Sequence, residues 1–131
     1  MNCADLIIEQ IITAGNERYL FCRNDEETVI PFPLKKPFVT FSVIEDNVEN
    51  LLGDGSSICT EIINVTVRTN ETEGEGSCRK SAEEVCIEIM KADKKKMIIS
   101  VNAGKCEFEE DSLCYAVNLQ LRLRTVRKSL S

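Results

Sequence analysis

Alternation of apolar and polar residues is the dominant pattern along the chain, and it predicts β-strands. The clearest run covers residues 117–124, where every second residue is valine or leucine and all the others are polar. This pattern predicts a half-buried strand with a polar outer face. Residues 39–43 and 60–70 alternate in the same way, and the continuous apolar run 97–101 predicts a more buried strand.

Shorter segments complete the predicted set of strands. Residues 19–23, 28–32 and 87–89 have the length and apolar content of short strands. The first segment, residues 4–12, is ambiguous because its apolar positions also fit a helix, but its four isoleucines favour a strand. Turn residues separate the segments at Pro31, Pro33 and Pro37, at Gly53-Asp54-Gly55, at Gly74-Glu75-Gly76 and at Asn102-Ala103-Gly104.

These segments predict an all-β fold of seven or eight strands, at the spacing expected of a sandwich or barrel. We expect a two-sheet antiparallel β-sandwich of immunoglobulin-like type. It forms a single domain over residues 1–131, because no interior stretch has the composition of a linker. A polar, basic tail is predicted from about residue 125. Hydrophobic residues make up 43% of the chain and aromatic residues 5%, so the core is expected to be mainly aliphatic.

Seven cysteines in 131 residues are the strongest indication of where the protein works. Such a density in a small chain is typical of disulfide-linked secreted proteins. We therefore predict a secreted, extracellular protein stapled by about three disulfides; the alternative is a cytosolic protein with reduced thiols. The odd count leaves one thiol over, which would allow a covalent dimer. The cysteines are Cys3, Cys22, Cys59, Cys78, Cys86, Cys106 and Cys114.

Spacing alone leaves the disulfide connectivity open. Cys78 and Cys86 flank a polar segment and could close it locally, and Cys106 and Cys114 repeat the same spacing. A bridge from Cys3 to Cys114 would tie the two ends of the chain together.

The absence of histidine removes the usual general base and the usual zinc ligand. We therefore predict no enzymatic activity, no cofactor and no metal site, and the absence of a Cys-x-x-Cys motif further weakens a zinc interpretation. A net charge of −6 argues against nucleic acid as a partner. No apolar run approaches 18 residues, so we expect no membrane span.

Charged residues form separate acidic and basic clusters. Lys94-Lys95-Lys96 and the set Arg122, Arg124, Arg127 and Lys128 are basic, and they indicate either a docking surface or the exposed charges of edge strands. The acidic clusters are more typical of solvated loops than of a catalytic or calcium site. They comprise Asp25-Glu26-Glu27, the set Glu71, Glu73 and Glu75, and the set Glu107, Glu109, Glu110 and Asp111.

The opening of the chain, from Asn2-Cys3-Ala4 to Cys22, resembles the start of ML domains, the MD-2-related lipid-recognition family. The segment Ser112-Leu113-Cys114-Tyr115 and the alternating strand after it resemble the end of the same family. The resemblance implies an ML-like sandwich whose two sheets splay apart around an apolar pocket.

The same resemblance implies a set of disulfides. It implies the bridge Cys3–Cys114 and a short loop bridge Cys78–Cys86. Cys59 and Cys106 have no common counterpart in the family and could pair with Cys22 or stay free. We place Cys22 and Cys59 among the bridged cysteines and treat Cys106 as the free or intermolecular thiol.

The expected binding and modification sites follow from the strand faces. The sequons at Asn64 and Asn70 would lie on the solvated face of the strand 60–70, where a glycan could be tolerated. An ML-like pocket would be lined by inward-facing residues, although the same residues would form a dry core in a sandwich without a cavity. These residues are Val39, Phe41, Val43, Ile63, Val65, Ile98, Leu119 and Leu121.

Two functions agree with these features. The first is a secreted, non-enzymatic binding protein that carries a lipid or another apolar ligand between two β-sheets. The alternative is an extracellular protein–protein interaction module, either a receptor ectodomain or a secreted effector that binds a partner protein.

Overall fold

The computed structural model describes residues 3–14, 17–24, 28–51, 53 and 55–127 of the chain. The fold is mostly β, with two helices. In chain order the elements are α1 (Cys3–Ala14), β1 (Leu20–Arg23), β2 (Phe38–Leu51), β3 (Ser57–Asn70), the 3-10 turn Glu71–Glu73, α2 (Gly74–Ala92), β4 (Ile98–Glu109) and β5 (Cys114–Arg127).

All five described strands belong to one mixed sheet, in the order β1-β2-β3-β5-β4. β1 runs parallel to β2, and every other neighbouring pair is antiparallel. Helix α2 connects the hairpin β2–β3 to the hairpin β4–β5. The prediction of a β-rich fold is confirmed, whereas the predicted second sheet is not found among the described strands.

The core lies between one face of this sheet and the two helices. On β3, Ile63, Val65 and Val67 point towards the helices and are fully buried. Their partners across β5, Leu121, Leu119 and Val117, are buried beside them, as the predicted alternation requires. The opposite face is polar in its middle, where the Thr66 hydroxyl donates to Asn118 Oδ1 at 2.7 Å. At one end of that face Leu34, Phe38 and Cys114 form a second, smaller buried cluster.

Residues 3–14 form helix α1, so the predicted first strand is wrong. Ala4, Ile7, Ile8 and Ile11 lie on one face of the helix and are buried against the sheet and α2. Burial of this stripe outweighs the modest intrinsic preference of isoleucine for strands.

The predicted strand at 87–89 and the polar loop before it are also wrong, because both lie in α2. The buried residues of this helix are Cys78, Ala82, Val85 and Ile89, which recur at the spacing of a helix face. Ile87 is 55% exposed, so it does not share a buried face with Ile89.

Three other segments differ from the prediction. Residues 28–32 are not in a strand, which agrees with the two prolines at 31 and 33 that cannot donate to a sheet. β4 continues through the predicted breaker 102–104, with a register shift between Ala103 and Cys106. β5 continues to Arg127 and so includes the predicted start of the basic tail at about residue 125, whereas the rest of that predicted tail, 128–131, lies outside the described residues.

The predicted disulfide staples are absent from the described side chains. Cys22, Cys59, Cys78, Cys86, Cys106 and Cys114 are free thiols, and the side chain of Cys3 lies outside the described residues.

Helix and strand geometry explains why the expected pairs do not form. Cys78 and Cys86 are eight residues apart on α2, about 12 Å along its axis, whereas a disulfide needs Cα atoms within about 7 Å. Cys22 pairs with Thr40, which pairs with Thr66, and Cys59 lies seven residues further along β3, about 23 Å away.

The expected bridge Cys3–Cys114 is also excluded by distance. The backbone N–H of Ala4, next to Cys3, donates to the Glu61 carboxylate on β3. Cys114 pairs with Asn70, nine residues from Glu61 along the same strand. The start of α1 and the start of β5 therefore lie on the order of 30 Å apart.

Glu61 holds α1 on the sheet. Its side chain is completely buried and its carboxylate accepts the Ala4 N–H, which is one of the donors that a helix leaves unpaired at its N-terminus. The accepting oxygen also lies at the positive end of the α1 helix dipole, where a hydrogen-bond acceptor is favourable.

We expect Glu61→Ala to lower the free energy of unfolding by about 2–3 kcal/mol, because a buried hydrogen bond is lost and the N–H groups at the helix terminus lose their acceptor. Urea denaturation followed by circular dichroism measures this change. The control is Glu107→Ala, which removes an exposed carboxylate and should change stability by less than about 0.5 kcal/mol. Equal effects of the two substitutions would contradict the anchoring role.

We expect the purified chain to contain at least six titratable thiols. The material is denatured without reductant and reacted with a chromogenic disulfide reagent, with reduced and fully oxidised samples as references. A titre of a single thiol would contradict the structure and would restore the prediction of three bridges.

Candidate binding groove

An apolar groove lies between α2 and β4, and its floor is formed by β5. Its volume is about 610 Å3, which is within the usual range for small-ligand sites. Most of its lining is aliphatic or thiol, with a few charged residues at the rim. The lining residues are Arg79, Ala82, Glu83, Cys86, Ile87, Val101, Ala103, Gly104, Lys105, Cys106, Val117 and Leu119.

The position of α2 creates this groove. The helix packs on β3 and β5 and has less contact with β4, so β4 extends beyond the cover that α2 provides. Ala82 on the helix and Ala103 on the strand have small side chains and leave the space between the two elements unfilled. The groove is therefore the region where the helical layer is narrower than the sheet.

β4 is an edge strand. It pairs with β5 on one side, and on its other side the described part of the chain places no strand. An edge strand presents a row of backbone N–H and C=O groups that another chain could pair with. Large apolar side chains are also exposed here, with Ile87 on the groove wall 55% exposed and Ile99 on the strand 49% exposed.

The two ends of β4 carry opposite charges. Lys94-Lys95-Lys96 lies in the exposed turn just before the strand, and Glu110 and Asp111 lie in the exposed turn just after it. Asp93 fixes the first turn, because its buried carboxylate accepts the N–H groups of Met97 and Ile98, both at 2.9 Å. The basic and acidic clusters found in the sequence thus become the two ends of one exposed edge.

Part of the acidic cluster is structural. Burial alone would raise the pKa of the Glu109 carboxyl, but the Arg68 guanidinium, with Nε 2.6 Å from Oε1, outweighs burial and lowers it. Ser112 also donates to Glu109 at 3.0 Å. Glu109 is therefore engaged within the chain, whereas Glu110 and Asp111 point into solvent.

Two thiols line the groove. The Sγ of Cys106 lies 3.9 Å from the Glu75 carbonyl oxygen, and it interacts with the Cys78 thiol across the α2–β4 contact. Burial, the neighbouring Cys78 and Glu75 raise the pKa of Cys106 to about 11, and burial also raises the pKa of Cys86. Both groups are protonated at neutral pH, so they suit an apolar surface better than nucleophilic chemistry.

The residues predicted to line a pocket between two sheets lie in the core beneath the helices. Val39, Phe41, Ile63, Val65, Ile98, Leu119 and Leu121 belong to that core, and Val43 packs against it. Leu119 is the member of this set that also lines the groove.

The two sequons occupy different positions. Asn64 is half-buried in the middle of the open face of β3. Asn70 caps the 3-10 turn: its Oδ1 accepts the backbone N–H and the hydroxyl of Thr72 at 3.0 and 3.1 Å, and its Nδ2 donates to the Leu34 carbonyl at 3.1 Å. A glycan on Asn70 would replace one of the two hydrogens of Nδ2, the atom that donates to Leu34.

Sequence reasoning missed the groove because it treated α2 as a loop and a strand. The usable signal was the helical spacing of the buried residues of α2, which leaves Cys86 and Ile87 beside the buried stripe. The side of the sheet that α2 covers could not be found from that spacing.

No family model matches the chain, and no curated protein matches it. None of the described helices combines the length and the apolar content needed to cross a bilayer. Among the described side chains, no three potential metal ligands are grouped so that they could hold an ion.

We expect Cys106 to alkylate slowly at neutral pH and faster as the pH rises towards 11, because only the thiolate reacts. Iodoacetamide labelling from pH 7 to 10.5, read at each cysteine by peptide mass spectrometry, measures the profile against glutathione. A Cys106 profile that superimposes on that of glutathione would contradict the shielded environment.

Proposed function

We propose that the chain is a non-enzymatic protein–protein interaction module that holds an extended apolar segment of a partner protein along β4. The single observation that carries the proposal is the coincidence of an open sheet edge with an apolar groove on the same strand. Recognition by strand addition uses these two features together.

The two features have separate roles. The outward backbone groups of β4 would pair with the main chain of the partner segment and supply affinity that is independent of sequence. Alternate side chains of that segment would point towards α2, because side chains of a strand alternate between faces. The aliphatic walls formed by Ile87 and Val101 favour apolar side chains at those positions.

A second candidate function is the carriage of a lipid or another small apolar ligand, as the ML-like resemblance implies. The volume and lining of the same groove favour it. Its weakness is that the groove is open along the edge strand, whereas a carried ligand is normally mostly enclosed.

Secretion was predicted from disulfides, and it stays a prediction now that the described cysteines are thiols.

The test uses a capped heptapeptide of alternating valine and threonine with a lysine at each end. We expect it to shift the backbone amide signals of β4 in a nitrogen–proton NMR spectrum and to slow the alkylation of Cys86 and Cys106. Ile87→Arg should weaken binding by about tenfold, because it places a charge on the apolar wall. Val126→Arg is the matched control, since Val126 is 60% exposed and outside the groove.

Two comparisons separate the candidates. The same peptide with N-methyl groups at alternate amides should not bind if strand addition is correct. A dodecyl maltoside monomer that protects both cysteines without shifting the β4 amides, together with an inactive heptapeptide, would support the ligand carrier instead. The absence of any effect from either probe would reject both functions for this groove.

A further inference from the structure

We propose that the partner strand is supplied by a second copy of this chain, which pairs with β4 in the antiparallel direction about a two-fold axis. This inference rests on the proposed function, because it names the occupant of the same edge and groove. The resulting dimer would join two five-stranded sheets into one continuous sheet of ten strands.

The charges at the ends of β4 favour the antiparallel direction. A two-fold axis through the middle of the strand brings the start of one β4 next to the end of the other. The lysines of the turn before the strand then face the carboxylates of the turn after it. In a parallel arrangement like charges would meet instead, which is unfavourable.

The spacing of these charges fits one centre of symmetry. Lys96 precedes Ala103 by seven residues and Glu110 follows it by seven, while Lys95 and Asp111 are each eight residues away. An axis through Ala103 therefore places Lys96 opposite Glu110 and Lys95 opposite Asp111, twice in each dimer.

The apolar surface beside the strand also fits a second copy. Ile87 and Ile99 are large and about half exposed, and they flank the edge along which the partner would lie. Pairing removes two open edges at once and covers both grooves, which is a common way for sheet proteins to protect such edges. Cys106 faces the Cys78 thiol of its own chain, so this dimer needs no covalent bond.

The test measures the mass of the full chain by sedimentation velocity with a reducing agent present. We expect a dimer of about 29 kDa, twice the chain mass of 14.7 kDa, that weakens as salt rises. Lys95→Glu/Lys96→Glu and Glu110→Lys/Asp111→Lys should each weaken dimerisation on the order of tenfold. The combination of all four substitutions should restore it, which a folding defect could not produce.

The control is Lys35→Glu/Lys80→Glu, which changes the net charge as much as the first variant but away from β4, and it should leave the dimer intact. A monomer at every concentration would overturn the inference and would mean that Lys105 and the β4 register shift protect the edge. If the chain is a monomer and the heptapeptide still binds, the proposed function stands without self-association. If the unsubstituted chain forms a dimer but the variant with all four substitutions does not regain dimerisation, the antiparallel edge pairing is wrong.

Discussion

Burial of one face of the β3–β5 pair is the constraint on which the rest of the structure depends. These two strands pair over their whole length, and their inward side chains form a continuous aliphatic surface. Removing that surface from water is the main favourable contribution to the free energy of folding. The surface is mainly aliphatic because the aromatic content of the chain is low. The two segments fold as helices because a helix places their apolar residues on one side, where these residues cover the apolar face of the sheet.

The candidate site is a consequence of how that cover is placed. α2 lies over the central strands β3 and β5, whose inward side chains belong to the core, and it extends only partly over β4. The uncovered margin becomes an apolar groove, and the last strand becomes an open edge. Asp93 and the charged turns at the ends of β4 then define where that edge begins and ends. The placement of α2 over the central strands and the position of β4 at the edge of the sheet together account for the groove, the open edge and the distribution of charge along it.

Much of the sheet was predictable, because period-two alternation directly reflects a strand with one buried face. The strands at 39–43, 60–70 and 117–124 were found in this way, as was the apolar start of β4. The helices were missed where local preference and burial disagreed: isoleucines favoured a strand in α1, and the pair Ile87 and Ile89 imitated alternation in α2. The groove was not predictable, because it joins residues of α2, β4 and β5 that are separated along the chain.

The sequence by itself determined which residues are favourably buried, which strand faces are mainly polar, and that the core is aliphatic. These properties depend on side-chain chemistry and on spacing over a few residues. Only the tertiary structure decided that the strands form one sheet, that helices cover one face, and that the expected cysteine pairs lie too far apart to bond. Those outcomes depend on distances between segments remote in the chain, which local periodicity does not encode.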